Sequence, residues 1–124
     1  ALDRTLKQIL LPQTFDYGKT FEHFLIAEIY RLNMYKQTDY KLFFLRTKEH
    51  AEIDLIIERA TNSTLLIEIK SKELIDDRDC KTLERLLKDF KKSEAYLFSR
   101  DPREKKIGNV HCLPWQKGLS IPFN

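Results

Sequence analysis

Asp54 in "AEIDLIIE", Ala51 to Glu58, and Glu68 and Lys70 in "LLIEIKSK", Leu65 to Lys72, are residue types that could do chemistry together. In an extended strand residues two apart share a face, so Glu68 and Lys70 point the same way while Leu65, Ile67 and Ile69 point the other. One reading is a solvated strand face carrying an ion pair, which is worth ~0–1 kcal/mol. The other is part of an active site. "RATNS" between the two segments is turn material, so they form a hairpin whose paired residue numbers sum to roughly 122–124. That register sets Asp54 opposite Glu68 or Lys70, with all three on one face.

Two carboxylates on adjacent central strands repel, and withdrawing either from water unpaired costs several kcal/mol. Lys70 offsets one charge. A divalent cation shared by Asp54 and Glu68 would offset the rest, and an all-oxygen donor set suits Mg2+ or Mn2+ rather than zinc. The chemistry such a group can do is phosphodiester hydrolysis. A carboxylate-bound metal activates water and stabilises charge on phosphate, and a neighbouring lysine orients or deprotonates that water or neutralises the transition state. Charged chains are rich in triplets of the "D…ExK" kind, so spacing alone leaves both readings open.

The elements that must hold these residues are legible along the chain. The 124 residues are 42% hydrophobic and 33% charged, with a net charge of +3, which fits one domain with a single core and excludes disorder as the default. The mild positive balance permits nucleic-acid binding without requiring it. Asp3 to Leu11 reads as a short helix stopped by Pro12. Lys19 to Tyr35 carries Phe21, Phe24, Leu25, Ile29 and Leu32 at helical spacing, with Gly18 just before it and Thr20 as a candidate N-cap. Strands are expected at Lys41–Arg46, Ala51–Glu58, Thr64–Lys70, Glu94–Ser99 and Val110–Trp115, with a helix over Asp76–Lys92 between the third and fourth. The class is α/β: a central mixed sheet of about five strands flanked by helices, in the order α-β-β-β-α-β-β.

Cys80 and Cys112 show no metal spacing and read as free thiols in a reducing compartment. No apolar run approaches the ~20 residues that span a bilayer, and no signal peptide is visible, so a cytoplasmic location without membrane association is expected. His23 and His50 lack ligand spacing. Lys81, Arg85, Lys88 and Lys92 form a basic stripe read as a solvated helix face, and Trp115 and Phe123 read as core and interface anchors.

The residues "EID" (Glu52 to Asp54) followed by "IEIKS" (Ile67 to Ser71) resemble the D…(D/E)xK signature of the PD-(D/E)XK nuclease superfamily. Together "YGKTFEHFLIAEIYRLN", "FLRTKEHAEIDLIIE", "LLIEIKSK" and "LPWQKGL" resemble the C-terminal domain of unknown function carried by many prokaryotic AAA-type ATPases, over about Tyr17 to Leu119. The resemblance implies a restriction-endonuclease-like core. It implies that Asp54 and Glu68 bind metal, that Glu22 on the first helix brings a third carboxylate to it, and that Lys70 is the catalytic lysine. Glu22 read without the resemblance is an exposed acid in the first helical turn, favoured there by the helix dipole. Arg46, Thr47 and Lys48 match a position suited to phosphate contact, although Arg46 also suits a pairing with Glu52. No proline precedes Asp54, where Ile53 stands; the superfamily often dispenses with it.

The implied function is a Mg2+- or Mn2+-dependent DNA nuclease domain, with DNA and the ATPase domain of a longer chain as partners. On this reading residues 1–124 are one domain, the C-terminal portion of that chain. The alternative is a non-catalytic DNA-binding or assembly module on the same fold. The sequence has no GxxxxGK[ST] loop, so it carries no ATPase site of that kind, and it leaves the oligomeric state open.

Overall fold

The structure, a computed structural model, describes residues 17–46 and 52–124. The short helix expected over Asp3 to Leu11 lies outside them. Helix α1 (Tyr17–Tyr35) leads into strands β1 (Lys41–Arg46), β2 (Glu52–Glu58) and β3 (Thr64–Ile69). Helix α2 (Asp77–Leu87) then precedes β4 (Ser93–Ser99), β5 (Lys105–Ile107) and β6 (Val110–Pro114), and a helical turn α3 (Trp115–Gly118) and a 3-10 turn close the chain. The α-β-β-β-α-β-β order and the mixed sheet are as the sequence leads one to expect. The count is not: the described residues form a six-stranded sheet, β1-β2-β3-β4-β6-β5. The extra strand is β5, three residues of which two are lysine, and it has no apolar alternation to announce it.

Antiparallel pairing joins β1 to β2, β2 to β3 and β5 to β6, while β3–β4 and β4–β6 run parallel. The parallel strands at the centre are covered on both faces, as parallel sheet requires. On one face Phe21, Leu25, Ile26 and Ile29 of α1 pack with Leu55, Ile57, Leu65, Ile67 and Phe98. On the other, Cys80, Leu83 and Leu86 of α2 pack with Ile53, Ile56, Leu66, Leu97 and Val110. Gly18 and Thr20 lie inside helix α1 rather than ahead of it. Helix α2 ends at Leu87, five residues short of the expected Lys92, which adopts a left-handed turn (φ 54°). The four residues of the basic stripe are exposed, but only Lys81 and Arg85 lie within α2; Lys88 caps it and Lys92 lies beyond it, so they do not form one helix face. Trp115 and Phe123 pack against the α1-side core. Cys80 and Cys112 are free, buried thiols whose sulfurs lie 3.6 Å apart.

Loops at the ends of the parallel strands are fixed by one buried carboxylate. Asp101, just past β4, is 1% exposed. Its Oδ1 accepts from the Arg103 backbone N–H and Nε, each at 3.0 Å. Its Oδ2 accepts from the Ile75 N–H at 3.0 Å and meets Lys105 Nζ at 2.9 Å. Lys105 also donates to the Ile75 carbonyl at 2.7 Å, and Arg100 N–H to the Lys72 carbonyl at 3.1 Å. The Lys70–Asp76 link is thereby tied to the segment that follows β4. These donors hold the Asp101 carboxyl well below its ordinary value of 3.8 despite burial. Its contribution is therefore present above that ordinary value and is lost as pH falls through the folded one.

Replacing Asp101 with alanine takes the acceptor from the Ile75 and Arg103 N–H groups and the counter-charge from Lys105. Hydrogen bonds to charged groups are worth about 1.5–3 kcal/mol, so Asp101→Ala should lose roughly 2–3 kcal/mol in urea unfolding at neutral pH. An unchanged midpoint would mean the loops are held by something else.

Candidate functional site

The β2–β3 hairpin has the register its turn implies. Leu55↔Ile67, Ile56↔Leu66 and Ile57↔Leu65 all sum to 122, so Asp54 stands across from Glu68 where that ladder ends. One feature departs from simple alternation. Between Phe43↔Ile56 and Leu45↔Ile53, three steps of β2 match two of β1, a β-bulge at Asp54–Leu55. Ile53 consequently joins the α2-side core while Leu55 joins the α1 side. Asp54 sits at this reversal instead of sharing a plain face with Glu68 and Lys70. Its Oδ2 accepts the Ile69 N–H at 2.8 Å, taking a donor that a longer ladder would give to the β2 backbone.

Glu68 and Lys70 do share a face, with Glu68 Oε1 and Lys70 Nζ 3.7 Å apart. The Glu68 side chain is only 16% exposed. Its second oxygen, Oε2, is buried with no hydrogen-bond partner. Glu22 belongs to the second turn of α1 and is half-buried, so it is not the exposed first-turn acid that the dipole would favour. The charge of Asp54 reaches it. Burial first, then Asp54, pushes the Glu22 carboxyl up to about 7, against an opposing pull from Lys19. Burial pushes Glu68 up to about 7 as well, with Lys70 pulling down and Asp54 pushing up. Asp54 is raised by burial too, although the Ile69 N–H favours its ionised form.

An open cavity of about 260 Å³ lies beside this group, lined by Gly18, Lys19, Glu22 and the Ile69–Lys72 run. Glu22 and Lys70 belong to its lining; Asp54 and Glu68 do not. Among the described residues no three His, Cys, Asp or Glu side chains are close enough together to hold an ion as they stand. The orphaned Glu68 Oε2, the raised carboxyls and the all-oxygen donor set are nonetheless the features an oxygen-seeking dication would satisfy. Arg46 is engaged with Glu52 at 3.0 Å, the pairing its sequence position also allowed. Thr47, Lys48 and His50 lie outside the described residues.

Lys19 was missed by sequence reasoning. It precedes Glu22 by three residues on α1, the spacing that puts two side chains on one helix face, and that spacing is the signal that could have found it. Lys72 also lines the cavity, but its ammonium is bound by both oxygens of Asp79 at 2.9 Å, in the first turn of α2.

Fold and site together define a mixed α/β domain with acids and lysines gathered where its central strands end. Residues 17–117 match the family described as a domain of unknown function (DUF4143), and the chain belongs to that family. No curated protein and no solved structure matches the chain. Among the described residues no helix is long and apolar enough to cross a membrane.

The raised carboxyls have a signed consequence. Glu22 and Glu68 hold protons in the folded state up to about pH 7 that the unfolded chain releases near 4.5. Stability from this source is full below the unfolded value and is lost as pH rises through the folded one. In chelator, the melting temperature should fall between about pH 5 and pH 8, and fall less in the Glu22→Gln/Glu68→Gln variant. Parallel curves for the two proteins would show that neither acid is perturbed.

Proposed function

We propose that this domain is a metal-dependent nuclease that hydrolyses DNA phosphodiester bonds, built on the PD-(D/E)XK plan. The observation that carries the reading is the Glu68 carboxylate: one oxygen beside Lys70, the other buried without a partner, across the hairpin from Asp54. A buried unsatisfied oxygen costs about 1–3 kcal/mol, and a bound cation is the partner that would remove that cost.

Asp54 and Glu68 would hold Mg2+ or Mn2+, with water and phosphate oxygens completing its shell, in keeping with the few protein ligands magnesium takes. When bound, the ion would supply Lewis acidity to the phosphate and to the attacking water. The chain's own groups do the rest. Lys70, in the cavity lining with its ammonium 3.7 Å from Glu68, would donate hydrogen bonds that orient the water and offset the charge developing on the phosphate. Glu22, holding a proton up to about pH 7, can accept or return one at the cavity wall. Lys19 places a positive charge where the phosphate would enter. Arg46, with Thr47 and Lys48 beyond the described residues, would meet the DNA backbone on the β1 side. The partner implied by the resemblance is the AAA-type ATPase domain of a longer chain, which would deliver the DNA, with the whole acting in the cytoplasm.

A second reading has its own observation. The Asp54–Ile69 hydrogen bond closes the end of the hairpin, a structural task that needs no metal. On that reading the domain is a DNA-binding or assembly module.

The two separate in a cleavage assay on circular single- and double-stranded DNA with Mn2+ or Mg2+. A nuclease cuts, loses about 10²–10⁴-fold of its rate in Lys70→Ala, and fails to bind Mn2+ calorimetrically in Asp54→Asn, which keeps an oxygen for the Ile69 N–H. A module does not cut, and gains stability or loses none in Asp54→Asn. Equal cutting by wild type and Lys70→Ala would remove Lys70 from the mechanism.

A further inference from the structure

A row of aromatic rings runs along α1 from the cavity to the end of β6. Tyr17 opens the helix beside the cavity-lining Gly18 and is 56% exposed. It stacks on Phe21 with ring centroids 6.3 Å apart and an interplanar angle of 21°. Phe21 meets Trp115 edge-on at 6.2 Å, and Trp115 meets Phe24 edge-on at 5.7 Å. Phe24 is 48% exposed, while Phe21 and Trp115 are anchored in the core beneath. The row is bordered by cations. The Arg100 guanidinium stands 5.3 Å over the Tyr17 ring, held there by Glu73 at 2.9 Å, and Lys19 and Lys70 line the cavity alongside.

We propose that this surface binds single-stranded DNA, with one unpaired base stacking on Phe24 and another on the Arg100 guanidinium that Tyr17 supports, while the phosphates follow Lys19 toward Lys70. This rests on the nuclease reading above and names its substrate form. The argument is one of complementarity. A duplex keeps its bases stacked inside and offers a protein groove edges and phosphates, which match the cations but leave the exposed rings uncovered. A single strand offers both phosphates and π-faces, and a cationic track beside exposed aromatic rings is what such strands bind. Arg100 does two jobs: its guanidinium, supported by the Tyr17 ring, takes a base, and it adds positive charge where a base and its phosphate would both be held.

The chain has one tryptophan, Trp115, so its emission reports directly on this surface. In chelator, which prevents cleavage, the protein is titrated with oligothymidine of about 16 nucleotides and with a duplex of the same length at about 0.1 M salt. Expected are quenching or a shift of Trp115 emission by the single strand and at least tenfold tighter binding than to duplex. Tyr17→Ala and Phe24→Leu, both at exposed positions, should weaken single-strand binding by about 5- to 100-fold with melting temperatures close to wild type. Phe24→Leu keeps the apolar contact and removes only the π-face, so it separates stacking from hydrophobic docking. Equal or tighter duplex binding, unchanged emission at saturation, or wild-type affinity in both variants would overturn the proposal. A protein that cuts duplex with Mn2+ but shows no strand preference here refutes this inference and leaves the nuclease reading standing. One that binds the strand but never cuts does the reverse.

Discussion

The carboxylate of Asp54, accepting the Ile69 N–H, is the contact on which the arrangement of the site depends. Antiparallel strands that pair to their ends leave no room between them for side chains. Here the β2–β3 ladder stops at Leu55↔Ile67, while β2 continues beside β1 through Ile53 and Glu52. The bulge at Asp54–Leu55 makes this divergence possible by turning β2 through one face between Ile53 and Leu55. A side chain then stands where a backbone carbonyl would have stood, and the polar group that ends the sheet is also the one that points toward Glu22 and Lys70. Removing the bulge would restore alternation and, with it, bury Ile53 and Leu55 on one face. The core as packed, with those two residues on opposite sides, does not allow that.

What the bulge opens, the loops after the parallel strands hold in place. Lys70 N–H donates to the Phe98 carbonyl and Arg100 N–H to the Lys72 carbonyl, so the parallel pairing continues past both strands into the site. Asp101 then fixes the return of the chain at Ile75, and Lys72 reaches the first turn of α2 through Asp79. The lysine-bearing segment is therefore held at both ends by short, mostly buried contacts. Lys70 itself is only one-third exposed. Its ammonium is presented from a rigid strand end rather than from a mobile loop, which is how a site whose distances matter must be carried.

Much of this was legible in the sequence, for identifiable reasons. The turn "RATNS" fixes the hairpin register within the 122–124 window, and apolar periodicity alone finds α1, α2 and five strands. Three things were not. Strand β5 is "KKI", and nothing in three residues with two lysines distinguishes a strand from a loop; pairing with β6 makes it one. The end of α2 was overrun because Phe90 and Lys92 continue its stripe, whereas the chain must turn there so that Ser93 can pair with Thr64. The bulge is invisible because "EIDLIIE" satisfies both alternation and a solid apolar run, and only the packing of Ile53 against α2 reveals the shift. Lys19 escaped for a related reason: a cation on an amphipathic helix reads as solvated until a cavity is known to lie beside it.

The energetics of the site bear on why these residues are present at all. Glu68 Oε2 is buried without a partner, and Glu22 and Glu68 are both pushed up to about 7 by burial first and by the Asp54 charge second. Each of these costs stability relative to an apolar residue of similar volume, since a buried pair seldom outdoes well-packed hydrophobic side chains. A domain shaped only for packing would relieve the strain by changing Glu68 to leucine or glutamine, with Lys70 then free to reach water. Asp54 alone is accounted for structurally, through Ile69. Glu22 and Lys70 line the open cavity from α1 and the end of β3, Glu68 pairs with Lys70 just outside that lining, and none of the three makes a contact that the fold requires. The cost falls on side chains around one end of the central strands, and perturbed carboxyls gathered in this way are the physical support for the proposed metal-dependent reading.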